Sequence, residues 1–459
     1  MKLSNHTIIV DHYPRWDQHL IYNTRTQALV KIDEDLKQRL LNLNEDGNLM
    51  NFGSNEEFKY LYRMGIIVRD DWDDQQKLKN HLNQIKYDYD NSVFVATILT
   101  TYGCNFKCTY CFEESSRSTQ KLDFQTQDHV IAWLKSRLEK FGYRGLYLNF
   151  YGGEPLINPQ AIDHIAGTMK QWCEENKVQF TFGLQTNGYL MTPAIIDRFK
   201  QLNLVRVRIS LDGVKEDHDR YRPLRGGGGT FDRVIANIED CVDKIEIGIS
   251  VGYDQSDVTP IEKLLKYLDE KGMLQKLGQF IFSPIIPTLG PDGEAQAVRG
   301  SECMCNSSDE NLAKSIGRIN QLMAHYGLPN KSGLMTSLCP LTRENSGVTI
   351  DQKGRLYRCN SLLGHEEFSI GDVTRNEFNE TQKQFRDLDV WKMCPADCTY
   401  MPICSGGCRL MSFLGNQNFN VASCKKPYLN KMAAEFIKKE YDRKVKKVLQ
   451  AKKEETATV

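Results

Sequence analysis

VFVATILTTYGCNFKCTYCFEE, residues 93–114, joins an apolar run of strand length to a loop carrying Cys104, Cys108 and Cys111. Five further runs of the same kind follow: LYLNFYGG (146–153), VQFTFGLQTNG (178–188), LVRVRISLDG (204–213), KIEIGISVGY (244–253) and GQFIFSPII (278–286). The segments between them have helical periodicity. Such alternation predicts an α/β fold with a parallel sheet buried on both faces. Curled sheets of this type place their chemistry at the strand C-terminal ends. Residues 91–287 are therefore expected to form a partial, TIM-like (β/α)6 barrel with the cysteine loop closing its first strand.

Working outward, residues 1–90 alternate apolar and polar in HTIIVDHY and HLIYNTRTQALVKI, then turn helical in EDLKQRLLNL and EEFKYLYRMG before IIVRDD. This predicts a β-β-α-α-β, winged-helix-like unit. RDDWDDQQKLKNHLNQIK is expected to be a solvated helical linker, with a boundary near residue 90. On the other side, residues 288–425 lose the alternation and gain Gly, Pro and Cys, the composition of a loop-rich segment organised by metals. Residues 426–459 are Lys-rich and helical, ending in a polar tail.

The chain has 459 residues, and Lys+Arg and Asp+Glu each total 59. No global field draws it to nucleic acid or to a lipid surface, so neither partner is expected. The start, MKLSNHTIIVDHYPRW, is apolar too briefly for a signal segment or a membrane span, which points to the cytoplasm. There, 14 cysteines are expected to ligate metal rather than form disulfides.

Three thiolates spaced CxxxCxxC can hold three irons of a [4Fe–4S] cluster and leave the fourth open to a ligand. Structural zinc would want four ligands. Tyr110, between two of the cysteines, is placed to cover an adenine ring. The loop resembles the cluster loop of the radical S-adenosylmethionine (SAM) superfamily, including the aromatic before its third cysteine. In that family the open iron chelates SAM, and its reductive cleavage yields a 5′-deoxyadenosyl radical. Gly152, Gly153, Glu154 and Pro155 resemble the family's GGEP motif, which contacts the methionine moiety. Glycine permits close backbone approach, and a glutamate can accept from an ammonium group. Gln185 and Asn187 in LQTNG, with Ser210 and Asp212 in ISLDG, look like its ribose and carboxylate contacts. Arg222 in HDRYRPLRGGGG matches a cation expected at the cofactor. Gly226–Gly229 lack the Lys-Ser/Thr of a phosphate loop and are expected to form a turn or a flexible lid.

Cys339, Cys359, Cys394, Cys398, Cys404, Cys408 and Cys424 follow in an order that resembles the SPASM domain of peptide-modifying members, except that the first interval, Cys394 to Cys398, is one residue longer than in the family. Position by position, Cys339, Cys359 and Cys408 would serve one auxiliary [4Fe–4S] cluster, and Cys394, Cys398, Cys404 and Cys424 another. The first set either leaves an open iron or is completed by Cys303 or Cys305. A structural zinc domain is the competing reading of these spacings. Cys173 and Cys241 lie on helical segments and are expected to be buried hydrophobes.

The resemblance covers residues 93–425 and implies an enzyme. The N-terminal unit resembles the RiPP recognition element, which grips a leader peptide by strand addition. The expected function is oxidative maturation of a ribosomally made peptide, as a crosslink or an unsaturation. The partners would be a precursor peptide with its leader and an external flavodoxin- or ferredoxin-type electron donor. Anaerobic sulfatase maturation is a second reading, opposed by Asn360, where those enzymes carry an aspartate that can take a proton. A non-catalytic iron–sulfur carrier or sensor is a third. Tyr189, His218 and Asp219 could each move a proton or merely cap a turn, so no catalytic side chain is assigned.

Overall fold

The computed structural model describes residues 1–43, 55–87, 92–296, 310–329, 334, 338–344, 347–389, 394–395 and 397–457. Six parallel strands form its centre: β6 (Phe94–Leu99), β7 (Gly145–Tyr151), β8 (Gln179–Thr186), β9 (Leu204–Ser210), β10 (Glu246–Tyr253) and β11 (Gln279–Pro284), side by side in chain order. They match the six runs read from the sequence. The crossovers are helical: α4 (Phe124–Phe141), α5 (Pro159–Glu175), α6 (Pro193–Lys200), α7 (Lys215–Tyr221) with α8 (Phe231–Cys241), and α9 (Thr259–Glu270). Local chemistry sets their ends. Asp123 caps α4 by accepting from the Thr126 amide, Gly142 closes it at φ 63°, and Thr192 caps α6 ahead of Pro193. Leu148, Phe150, Phe182, Ile209 and Ile249 are fully buried between sheet and helices. Cys173 and Cys241 are buried in the same core.

Residues 1–87 add four strands before the first helix: β1 (Lys2–Leu3), β2 (Thr7–Val10), β3 (Gln18–Asn23) and β4 (Leu29–Asp33). Helices α1 (Glu34–Leu41) and α2 (Asn55–Arg63), strand β5 (Ile67–Val68) and helix α3 (Asp74–Tyr87) follow. The β-β-α-α-β order needs correcting at HLIYNTRTQALVKI, which is two strands of an antiparallel β2-β3-β4 sheet. The turn between them has no glycine or proline. Asn23 Oδ1 supplies it by accepting from the Arg25 and Thr26 amides, both at 3.0 Å. The linker α3 is also more than solvated: Leu78 and Leu82 are buried against Met401, Cys394 and Cys398.

Beyond the barrel come β12 (Thr288–Leu289), β13 (Ala295–Gln296) and α10 (Glu310–His325), then β14 (Val348–Ile350), β15 (Arg355–Tyr357), β16 (Gly371–Asp372), α11 (Glu380–Arg386), α12 (Met401–Cys404), α13 (Arg409–Asn416) and α14 (Lys426–Ala457). The loop-rich expectation for this region misses α10, whose Leu312, Ile319, Leu322 and Met323 form a buried stripe. Strand β14 adds to the barrel sheet parallel to β6, pairing Ile350 with Ile98, and β15 and β16 extend that sheet antiparallel. Helix α14 is not a free basic arm along its first turns. Its Leu429, Met432, Phe436 and Ile437 pack against Val10, Leu20 and Tyr22 of the N-terminal sheet and against Tyr400 and Ile403. Phe436→Ala is expected to cost about 3–5 kcal/mol at this three-way contact. Limited proteolysis should then release the N-terminal unit early; an unchanged digestion rate would show that the contact contributes little. Among the described residues no helix is long and apolar enough to cross a membrane.

Candidate active site

The C-terminal ends of the barrel strands surround a cavity of about 310 Å³. Cys104, Cys108 and Cys111 line it, together with Gln185, Asn187, Ser210, Asp212 and Arg222 from the strand ends and the loops that follow them. Burial raises the ordinary pKa of Cys104 and Cys108 and pushes Cys111 up to about 12. Thiols so placed stay protonated near neutral pH until a metal displaces the proton. Three sulfur donors at one cavity fit a [4Fe–4S] cluster with one open iron, and the polar strand ends beside them fit a polar ligand at that iron.

Two chain segments hold the cysteine loop. From one side the Tyr221–Arg225 segment runs along it: Lys107 N donates to Pro223 O at 2.9 Å, Thr109 N to Tyr221 O at 3.0 Å, and Arg225 N to Asn105 O at 2.8 Å. The glycine run behind this strap turns the chain, with Gly227 and Gly228 at φ 90° and 101°, a conformation that favours glycine. From the other side comes the GGEP segment. Gly153 N donates to Thr101 O and Glu154 N to Gly103 O, each at 2.9 Å. A Cβ on Gly152 would collide with Thr101 O, and one on Gly153 with the Tyr102 and Gly103 carbonyls. The two glycines thus let β7 press against the cysteine loop itself.

Glu154 is fully buried below the cavity and does not line it. Its carboxylate accepts from Thr186 Oγ1 at 2.7 Å, Asn187 N at 2.8 Å and Leu156 N at 3.1 Å. Burial raises its pKa, and these donors pull the other way. Pro155, also buried, opens a short 3₁₀ turn after it. Asn187 faces the cysteines: its Nδ2 donates to Asn105 Oδ1 at 2.8 Å and approaches Cys104 Sγ at 3.8 Å.

Tyr110 is fixed by its hydroxyl, which bonds Asp212, while Arg222 Nη1 donates to the same hydroxyl at 2.7 Å and lies 3.4 Å from Asp212 Oδ2. Asp212 Oδ1 also accepts from Gly252 N at 2.7 Å. A side chain on Gly252 would meet the Tyr110 ring, so that ring forms a wall of the cavity against β10. His218 accepts from the Asp212 amide, and burial with the Arg222 charge holds its pKa down to about 3, so it is neutral. Asp219 Oδ1 caps α8 through Thr230 N and Phe231 N. Tyr189 packs edge-on to Phe106. All three have local structural work that explains their presence.

Several residues at the cavity escape the sequence reading, among them Phe112, Thr186, Gly252, Ser250, Ser283, Glu113 and Arg117. Ser250 and Ser283 lie in the C-terminal halves of β10 and β11, where strand parity alone would have placed them. Glu113 and Arg117 follow the third cysteine. Burial raises Glu113 to about 7. Arg117 is held above its ordinary value despite burial, by Cys111 and Cys104 once they are thiolates and by Glu113 and Glu114.

The C-terminal cysteines fall into two neighbourhoods. Burial pushes Cys359 up to about 12, and the charges of Cys339 and Cys408 add to it. Burial pushes Cys394 up to about 11, with Cys404, Cys398 and Cys424 adding. Buried Arg409 faces members of both sets and donates to the carbonyls of Gly406, Phe419 and Val421. Cys303 and Cys305 lie outside the described residues. Among the described residues no three His, Cys, Asp or Glu side chains gather around a position for a single metal ion.

The sequence matches the Radical SAM superfamily over residues 98–268, the span from β6 to α9 that carries the cysteine loop and the strand-end cavity. This chain carries a radical SAM domain. A cysteine-type anaerobic sulfatase-maturating enzyme of Clostridium novyi (strain NT) is 24% identical over 333 residues, covering 67% of this chain and 85% of that protein. Among solved structures, native anSMEcpe with bound AdoMet superimposes with TM-score 0.57 at 17% identity, over 75% of this chain and 98% of that one. Streptococcus suis SuiB bound to precursor peptide SuiA superimposes with TM-score 0.53 at 14% identity, over 92% of this chain and 98% of that one. The expected barrel is the radical SAM fold of these neighbours. The domain match over residues 98–268 weighs against the non-catalytic carrier reading.

Proposed function

We propose that this radical SAM enzyme oxidatively modifies a ribosomally synthesised peptide, introducing a crosslink or an unsaturation. The observation that supports the reading is that beyond the barrel Cys359 has Cys339 and Cys408 as neighbours, and Cys394 has Cys398, Cys404 and Cys424. Cys104, Cys108 and Cys111 would hold the barrel cluster. Cys339, Cys359 and Cys408 would hold one auxiliary cluster, and Cys394, Cys398, Cys404 and Cys424 the other. When bound, these groups and SAM supply a hydrogen-abstracting radical at the barrel and an electron sink in the C-terminal domain. An external flavodoxin- or ferredoxin-type protein would provide the reducing electron.

The chain's own residues prepare the site. Tyr110, Asp212 and Arg222 form one rigid wall in which the arginine charge is balanced, so the ligand meets a fixed surface. Ser210, Ser250, Ser283 and Gln185 offer hydrogen-bonding groups in the C-terminal halves of successive strands. Among the described residues, β2 and β4 of the N-terminal sheet each pair on one side only, leaving edges to which an extended leader peptide can add. The enzyme, given SAM, reductant and a short peptide encoded beside its gene, should remove hydrogens from that peptide in pairs. An unchanged peptide mass beside ongoing deoxyadenosine production would overturn the peptide reading.

Sulfatase maturation is supported by the similarity to the Clostridium novyi enzyme. Against it stands Asn360, exposed and hydrogen-bonded through Oδ1 to Thr349 at 2.5 Å, an amide that cannot take a proton. Conversion of a sulfatase-derived CxPxR peptide to its formylglycine form would decide for that reading.

A further inference from the structure

Arg117 lines the cavity, and its side-chain contacts give it a role beyond those described so far. Arg117 stands six residues past Cys111, and its side chain is 12% exposed. Each nitrogen of its guanidinium has a partner. Nη2 donates to Cys111 Sγ at 2.9 Å, Nη1 to Tyr102 O at 2.9 Å, and Nε to Glu114 Oε2 at 3.2 Å. Glu114 is in turn gripped by Arg225 Nη2 at 3.1 and 3.2 Å, from the strap that pins the cysteine loop. Gly153 leaves room for this arrangement, because a Cβ there would collide with Arg117 Nη1. Loop, strap and the end of β7 therefore converge on one side chain.

We propose that Arg117 is a positioning residue that binds the Cys111 sulfur and raises the reduction potential of the barrel cluster. This rests on Cys104, Cys108 and Cys111 holding that cluster. A hydrogen bond to a ligand sulfur withdraws charge from it, and a cation beside it favours the state carrying one more electron. Glu114 does not cancel the effect, since one carboxylate is shared between two arginines. The three acceptors also need a fork. A lysine would bring the charge to the sulfur without holding Tyr102 and Glu114 together with it.

The test is an anaerobic redox titration of the reconstituted full-length protein, followed by electron paramagnetic resonance. The barrel cluster is assigned by the change in its spectrum when SAM is added. Arg117→Met should keep its iron and titrate lower, with the reduction equilibrium shifted by about tenfold, or about 59 mV for one electron. Arg117→Lys should fall between that value and the wild type. Equal potentials in all three proteins would reduce Arg117 to a strut and overturn the proposal. If the methionine variant holds no iron, the lysine variant decides: a potential below wild type supports the proposal, and an unchanged one overturns it. No peptide enters the measurement, so its failure leaves the peptide reading standing. A wild-type protein with no SAM-responsive cluster would instead overturn the assignment of the three cysteines.

Discussion

Cys104→Ala is expected to remove the barrel cluster and with it all formation of 5′-deoxyadenosine from SAM and reductant. Cys104 sits where loop and strand end meet: its sulfur accepts from Phe106 N at 3.4 Å and is approached by Asn187 Nδ2. With two thiols left at the cavity, a cubane would have two irons without a protein ligand. Iron should fall from about twelve to about eight per chain, since the C-terminal cysteines are untouched. Cys394→Ala is the informative partner, expected to lose iron as well but to keep forming deoxyadenosine. A wild-type rate from Cys104→Ala would remove the cysteine loop from the chemistry. Zinc in place of the C-terminal iron would leave the barrel result intact and cancel the proposed electron sink.

Glu154→Ala is expected to cost about 3–5 kcal/mol, because it leaves the Thr186 hydroxyl and the Asn187 amide buried without acceptors. The damage should spread. Asn187 orients the loop through Asn105, and Glu154 N holds Gly103 from the other side. A drop in melting temperature of the cofactor-free protein reads this directly. Glu154→Gln, which keeps one acceptor oxygen, should melt between alanine and wild type. The pair also separates two roles. If the carboxylate contacts the ammonium group of SAM itself, the glutamine variant will stay folded yet bind SAM weakly. If it acts from below, folding and affinity will fall together. Unchanged melting in both variants would show that the buried carboxylate does not hold this corner.

The sequence made the barrel legible because six apolar runs ended at chemistry-bearing residues, a coincidence of period and motif that few folds produce. Hence Gln185, Asn187, Ser210 and Asp212 were found as a set and stand at one cavity. What escaped depended on contacts that sequence spacing does not encode. The β3–β4 turn is built by an asparagine side chain instead of by glycine or proline, so two strands read as one. Helix α10 has a clean apolar stripe, but its cysteine- and glycine-rich flanks drew the reading toward loops. The strap over residues 105–109 pairs segments more than a hundred residues apart, and no local pattern announces such a bridge. Arg117 is invisible for a different reason: its three partners are close in sequence, but they lie in an irregular loop whose spacing carries no period to announce that they converge.

Strand β6 takes one neighbour, β7, from close by in sequence and the other, β14, from near the far end: Ile98 must wait for Ile350. During synthesis, at roughly 5–20 residues per second, the strand that carries the cysteine loop has an unpaired edge for tens of seconds. Throughout that time the segments that hold the loop, residues 152–154 and 221–225, are already made, while the partner that covers the edge is not. Iron delivered before release would meet a loop on an incomplete sheet. The topology thus leaves the sheet that carries the loop open at one edge until the β14–β15 hairpin is made. Truncation before residue 348 should accordingly leave the β6 edge open and a protein more prone to edge-to-edge aggregation than the full chain, which light scattering reads.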